Sequence, residues 1–127
     1  MASARVVHFE YMTKDPDTLQ KFFEDTFGWT TEKWGGPFDY RLVTAGNEDG
    51  GDGIGGGIMP AGQAPFDAPV CNTFGVGDID AMMKKVEANG GKMLTPKSAI
   101  PGMGWFCYAQ TPDGMPFGMM EPDDNAK

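Results

Sequence analysis

The stretch Val7-His8-Phe9-Glu10-Tyr11, followed by Asp15-Pro16-Asp17, an amphipathic run and Phe27-Gly28-Trp29, decides the fold because it returns later in the chain. Its second appearance is Val70-Cys71-Asn72-Thr73-Phe74, then Asp78-Ile79-Asp80, another amphipathic run and Asn89-Gly90-Gly91. The offset is 63 residues for His8 with Cys71 and again for Asp15 with Asp78. The closing segments Gly55 to Pro60 and Phe117 to Pro122 align at an offset of 62, which pairs Gly56 with Gly118. A repeat of this length is a whole supersecondary module rather than a unit of a short-period array. Two such modules related by a pseudo-twofold are expected to leave a cleft between them, the place to seek function.

Local signals fill in each module. Residues 5–12 alternate around β-branched and aromatic types, as a strand does. Asp15 then offers a capping carboxylate, and Pro16 stands at the first helical position, where its missing N–H costs nothing. Leu19, Phe22, Phe23 and Phe27 form one stripe at helical spacing, and Gly28 ends the helix. Strands at 29–34, 39–45 and 54–59 follow, with the glycine-rich loop 46–53 before the last. Pro60 to Pro69 lacks periodicity and reads as a connector. The second module repeats the order, with a strand at 70–76, a helix at about 79–89 capped by Gly90, and strands at 92–96, 104–110 and 115–120. Thr111-Pro112-Asp113-Gly114 has the residues of a tight turn. The expected organisation is therefore one domain over 1–127: module one at about 5–60, connector 60–69, module two at about 70–122, and a frayed polar tail 123–127. The fold class is α+β, two tandem βαβββ modules forming a curved mixed sheet around a cleft with helices outside.

Composition narrows the function. A chain of 127 residues with a net charge of −8 repels nucleic acid and anionic membranes, so neither is an expected partner. No apolar run has the length of a membrane span and no segment reads as a signal peptide, so a soluble cytoplasmic protein is expected. Cys71 and Cys107 lack metal or redox spacing and read as buried thiols. The ten Met and nine Phe residues suit an adaptable apolar core or ligand cavity. The Gly-x-Gly patterns of residues 50–57 lead into a strand rather than a helix N-terminus, so they do not read as a phosphate loop.

The two quoted repeats, together with the late Thr111-Pro-Asp-Gly-Met-Pro-Phe-Gly-Met-Met-Glu121, resemble the vicinal oxygen chelate superfamily of glyoxalases, bleomycin- and fosfomycin-resistance proteins and extradiol dioxygenases. The resemblance covers nearly the whole chain. It implies four inward side chains around a divalent cation, and position by position these fall on His8, Gly56, Cys71 and Gly118. Two glycines supply no ligand, so the resemblance implies an incomplete metal site and no cofactor. A metal held by His8, Glu10 and Cys71 is the alternative, since Glu10 shares the face of His8 roughly 6–7 Å along the strand. Glu121 lies three residues beyond Gly118 and should point the other way.

His8, the only histidine, is the candidate base or anchor, with Glu10 orienting it. Cys71 could act as a nucleophile beside His8 or simply pack. In the strand at 104–110, alternation sets Trp105 and Cys107 on one side and Phe106 and Tyr108 on the other without saying which side is the cleft; Trp105 is the expected ligand-stacking ring if its side lines it. Arg41 is a possible anion contact or a solvated charge. The expected ligand-binding set is His8, Glu10, Cys71, Thr73, Trp105, Gly56 and Gly118. The expected function is metal-independent binding of a small apolar or aromatic organic ligand by a homodimer. The competing expectation is an enzyme, either an isomerase or lyase using His8 and Glu10 or a metal-dependent glyoxalase or dioxygenase.

Overall fold

The computed structural model describes residues 3–45 and 53–127. Most of the expected loop 46–53 therefore lies outside the described residues. The fold class is α+β, and the chain divides into two compact units, His8–Cys71 and Asn72–Lys127, the latter taking in the first seven residues. Each unit carries one helix and a set of parallel and antiparallel strands. Among the described residues no helix is long and apolar enough to cross a membrane.

In the first unit the elements are β1 (Arg5–Thr13), α1 (Pro16–Phe27), β2 (Thr30–Lys33), β3 (Arg41–Thr44) and β4 (Gly55–Pro60), with sheet order β2-β3-β4-β1. Strands β1 and β4 are parallel, which requires a crossover, and α1 supplies it. The helix starts where expected, since the Asp15 carboxylate accepts from the Thr18 N–H and Pro16 opens the first turn. It stops at Gly28, whose φ of 73° only glycine adopts cheaply, with its N–H returned to the Glu24 carbonyl. The apolar stripe is less buried than its spacing suggests. Phe23 packs in a ladder of rings, 5.4 Å from Tyr11 and 4.4 Å from Trp29, while Phe22 and Phe27 stay exposed. Below these rings sit Val43 and the fully buried Ile58.

The second unit contains β5 (Val70–Gly75) from Asn72 on, α2 (Ile79–Ala88), β6 (Lys92–Met93), β7 (Ser98–Ile100), β8 (Gly104–Gln110) and β9 (Pro116–Pro122). Its sheet runs β5-β9-β8-β6, and β7 also pairs with β8. The extra strand β7 was not expected; a three-residue edge strand is too short for a periodic signal. Helix α2 is capped twice, by Asp78 accepting from Ala81 N–H and by Glu121 Oε1 accepting from Ile79 N–H at 2.9 Å. Its buried Ile79 joins Val76, Cys107 and Met119 in one core cluster.

The tail corrects the sequence reading. Rather than fraying, it docks within its unit: Asp123 N–H donates to the Met103 carbonyl at 3.0 Å, Gly102 N–H to the Ala126 carbonyl at 3.0 Å, and Trp105 Nε1 to Asp123 Oδ2 at 3.0 Å. Ala126 is buried. The composition of 123–127 is polar, but its polar groups are spent on these bonds. Ending the chain after Pro122 should therefore cost about 1–3 kcal/mol, since each net hydrogen bond is worth about 1 kcal/mol. Urea denaturation would show this as a lower midpoint with little change in slope; an unchanged midpoint would mean the tail contributes nothing.

Candidate functional site

Register decides which residues share a face. Strand β1 pairs with β4 as His8 with Gly55, Phe9 with Gly56 and Glu10 with Gly57. In-register neighbours point the same way, so His8, Glu10 and Met12 share the face opposite α1 with Gly55, Gly57 and Met59. Gly56 belongs to the helix side. A Cβ built there would lie 2.3 Å from the Phe9 ring, so the ring occupies that space. The expectation that Gly56 stands with His8 is thus corrected by one residue, to Gly57. In the second unit Thr73 pairs with Gly118. The true counterparts are Gly57 and Gly118, which lie 61 residues apart, whereas Glu10 and Thr73 lie 63 apart. The run of three glycines hid this slip, because nothing in Gly55-Gly56-Gly57 marks which one faces which way.

Over Gly57 lies a residue that the sequence analysis did not single out. The Tyr40 ring fills the space that a side chain at 57 would take, 2.2 Å from the ideal Cβ position. Its backbone is held by Trp34 N–H donating to the Tyr40 carbonyl at 2.9 Å, which closes the loop between β2 and β3. The Trp34 ring packs edge-on to Tyr40, with centroids 6.2 Å apart. So placed, the Tyr40 hydroxyl donates to Glu10 Oε2 at 2.8 Å and meets His8 Nε2 at 2.7 Å. Glu10 does not orient the His8 ring directly, as their shared face led one to expect; the Tyr40 phenol stands between them. No motif announces it, since Tyr40 is 30 residues from Glu10 in sequence.

Burial sets the charge of this chain. Desolvation pulls the pKa of His8 below its ordinary 6.5, and the nearby Glu10 charge only partly opposes that. His8 is neutral at pH 7. Glu10 is 5 % exposed, and its bond from Tyr40 offsets part of the cost of burying a carboxylate.

The other expected site residues are placed as follows. Thr73 is 1 % exposed, and its hydroxyl has no hydrogen-bond partner. It shares a face with Gly118 and Tyr108, and the Phe106 ring lies over Gly118 as Tyr40 lies over Gly57. Cys71 is buried at 2 % and stands two residues from Thr73 on the same side of β5. Trp105 is on the opposite side, packed on the α2 core with Lys97 Nζ 5.0 Å from its ring. Trp105 therefore does not share the face of Thr73; Phe106 and Tyr108, stacked edge to face at 4.7 Å, do. Cys107 faces the α2 core, where burial pushes its thiol to about 11, an inert packing group. Arg41 is neither a solvated charge nor an anion contact. It is buried on the helix side and bonds Asp17 at 2.7 Å, Gln20 at 3.0 Å and Asp39 at 3.2 Å.

The donor set does not fit a resident divalent cation. Among the described residues no three His, Cys, Asp or Glu side chains converge, and Gly57 and Gly118, in register with Glu10 and Thr73, bring no ligand atom. His8 and Glu10 are already joined through Tyr40. Glu121 is engaged at the start of α2.

With this geometry in view, comparison with known proteins is informative. The family model of the glyoxalase/bleomycin resistance protein/dioxygenase superfamily matches residues 5–119. The chain belongs to that superfamily. Among curated proteins it is similar to "Putative glyoxylase CFP32" of Mycobacterium tuberculosis, 27% identical over 117 residues, which is 88% of this chain and 43% of that protein. The chain thus spans less than half the length of that relative. Among solved structures it resembles a superfamily member from Vibrio splendidus 12B01, with a TM-score of 0.66, 21% identity and 94% and 99% of the two chains covered. It also resembles a methylmalonyl-CoA epimerase of Streptomyces coelicolor in complex with 2-nitronate-propionyl-CoA, with a TM-score of 0.69, 14% identity and 99% of each chain covered. These structural likenesses concern the fold.

Two predictions follow from the site's electrostatics and its unmet hydroxyl. Because the folded pKa of His8 lies below 6.5, the unfolded chain takes up its proton first as pH falls. The stability due to neutral His8 is complete above 6.5 and is lost between that value and the lower folded pKa. Denaturation midpoints should fall on acidification from pH 7.5 to 5.5, and His8→Gln should flatten that slope; a slope unchanged in the variant would refute the burial of neutral His8. Thr73→Val removes a buried hydroxyl that has no partner, so it should raise stability by up to about 1 kcal/mol. A loss of similar size would show the hydroxyl to be bonded.

Proposed function

We propose that this superfamily member binds a small, partly apolar and aromatic organic molecule against the sheet face carrying His8, Glu10 and Tyr40, without a resident metal. The bonded chain His8–Tyr40–Glu10 is the observation that carries the reading. Ligand sites combine apolar surface with a few fixed polar groups, and His8 and Tyr40, both half-buried on this face, present such a polar chain. Mutual hydrogen bonds fix the three side chains to one another. Little side-chain entropy would then be lost on binding.

A second reading, enzymatic proton transfer, draws on one feature of the same chain. A neutral histidine held in one orientation is the usual general base at neutral pH. In that reading His8 removes a proton from the bound molecule, and Tyr40 and Glu10 stabilise the imidazolium that forms. The name of the mycobacterial relative lends this reading support.

Binding can be tested by screening flat aromatic compounds and sugar phosphates against the protein while watching the signals of its only histidine by NMR. Aromatic compounds of mixed polarity should dominate the hits, shift the His8 ring signals and lose about 1–3 kcal/mol of affinity in His8→Ala. Hits dominated by phosphates and indifferent to His8→Ala would refute the proposal. Added Zn²⁺, Ni²⁺ or Mn²⁺ should leave the melting temperature unchanged, whereas tight binding at a hundredfold excess over Kd would add about 2.7 kcal/mol.

A further inference from the structure

The hydrogen-bond chain has a direction, and the direction selects the ligand. Tyr40 owns one phenolic proton, and it points to Glu10 Oε2 at 2.8 Å. At the 2.7 Å contact with His8 the phenol oxygen can therefore only accept, so Nε2 carries the imidazole proton. A neutral ring has one N–H. Its other nitrogen, Nδ1, is left as a lone pair, and no group among the described residues bonds it.

We infer that the molecule bound at this face meets His8 Nδ1 as a hydrogen-bond donor, and is a neutral or cationic N–H or O–H compound rather than a carboxylate or phosphate. The inference rests on the proposed binding face and names the class of ligand it takes. Charge complementarity points the same way. The Glu10 carboxylate lies one phenol away from the ring, and the whole chain carries −8. Arg41, on β3, is turned to the other side of the sheet and bound to Asp17 and Asp39. An anion here would meet a lone pair and a carboxylate with no compensating donor, and an unpaired polar contact costs about 1–3 kcal/mol.

Two matched probe pairs test this by calorimetry at pH 7.5, with the His8 Cε1–H signal followed by NMR. The charged pair is 1-naphthylmethylamine and 1-naphthoate. The neutral pair, 1-naphthalenemethanol and its methyl ether, separates donation from charge. The donor of each pair should bind roughly tenfold or more tightly and shift the His8 signal. Tyr40→Phe releases Nε2 from its acceptor and frees the ring to change tautomer, so the preference within the neutral pair should shrink toward equality while the protein stays folded. If naphthoate or the ether binds as well as its partner and still shifts His8, the donor inference fails and the binding face stands. If no probe shifts His8, both fail. Full discrimination retained in Tyr40→Phe would overturn the role given to the phenol.

Discussion

One contact organises the first unit: the Tyr40 ring lies where a side chain at residue 57 would be, and its hydroxyl spans from His8 to Glu10. A side chain at 57 and the present place of Tyr40 are mutually exclusive, since the ideal Cβ position is 2.2 Å from the ring. Glycine there is a steric condition rather than a matter of backbone freedom. Once the ring is seated, the acidic Glu10 can be buried because it accepts a hydrogen bond, and His8 can be half-buried and neutral because its Nε2–H has an acceptor.

The repeat makes the same point by contrast. In the second unit Thr73 holds the place of Glu10, Gly118 that of Gly57, and Phe106 lies over Gly118 as Tyr40 lies over its glycine. Phenylalanine brings no hydroxyl, and the Thr73 hydroxyl has no partner. Two modules built on one plan therefore treat the same position differently. One closes its polar chain internally, and the other leaves a buried donor and acceptor unmet.

Most of the architecture could be read from the sequence because its signals are local. Asp15-Pro16, Gly28 and Asp78 bound the helices at a distance of a few residues, and strand alternation is a period-two pattern. The site was read less well, because it depends on register and on contacts distant in sequence. A slip of one residue among three glycines moved Gly56 to the wrong face. Trp105 and Phe106 could not be told apart by alternation alone, since the pattern gives two faces without saying which one the helix covers. His8 and Glu10 were recognisable from adjacency on one strand, but the phenol that joins them comes from a loop ordered by Trp34 and by an absent side chain at 57.

Nitrogen-15 NMR of the imidazole is unambiguous in a chain with a single histidine, and it reads the central contact directly. At pH 7 the ring of His8 should be neutral with its proton on Nε2, and Gly57→Ala, which evicts the Tyr40 ring, should abolish that single-tautomer signature. A charged ring at pH 7, a proton on Nδ1, or a spectrum unaffected by Gly57→Ala would contradict the account.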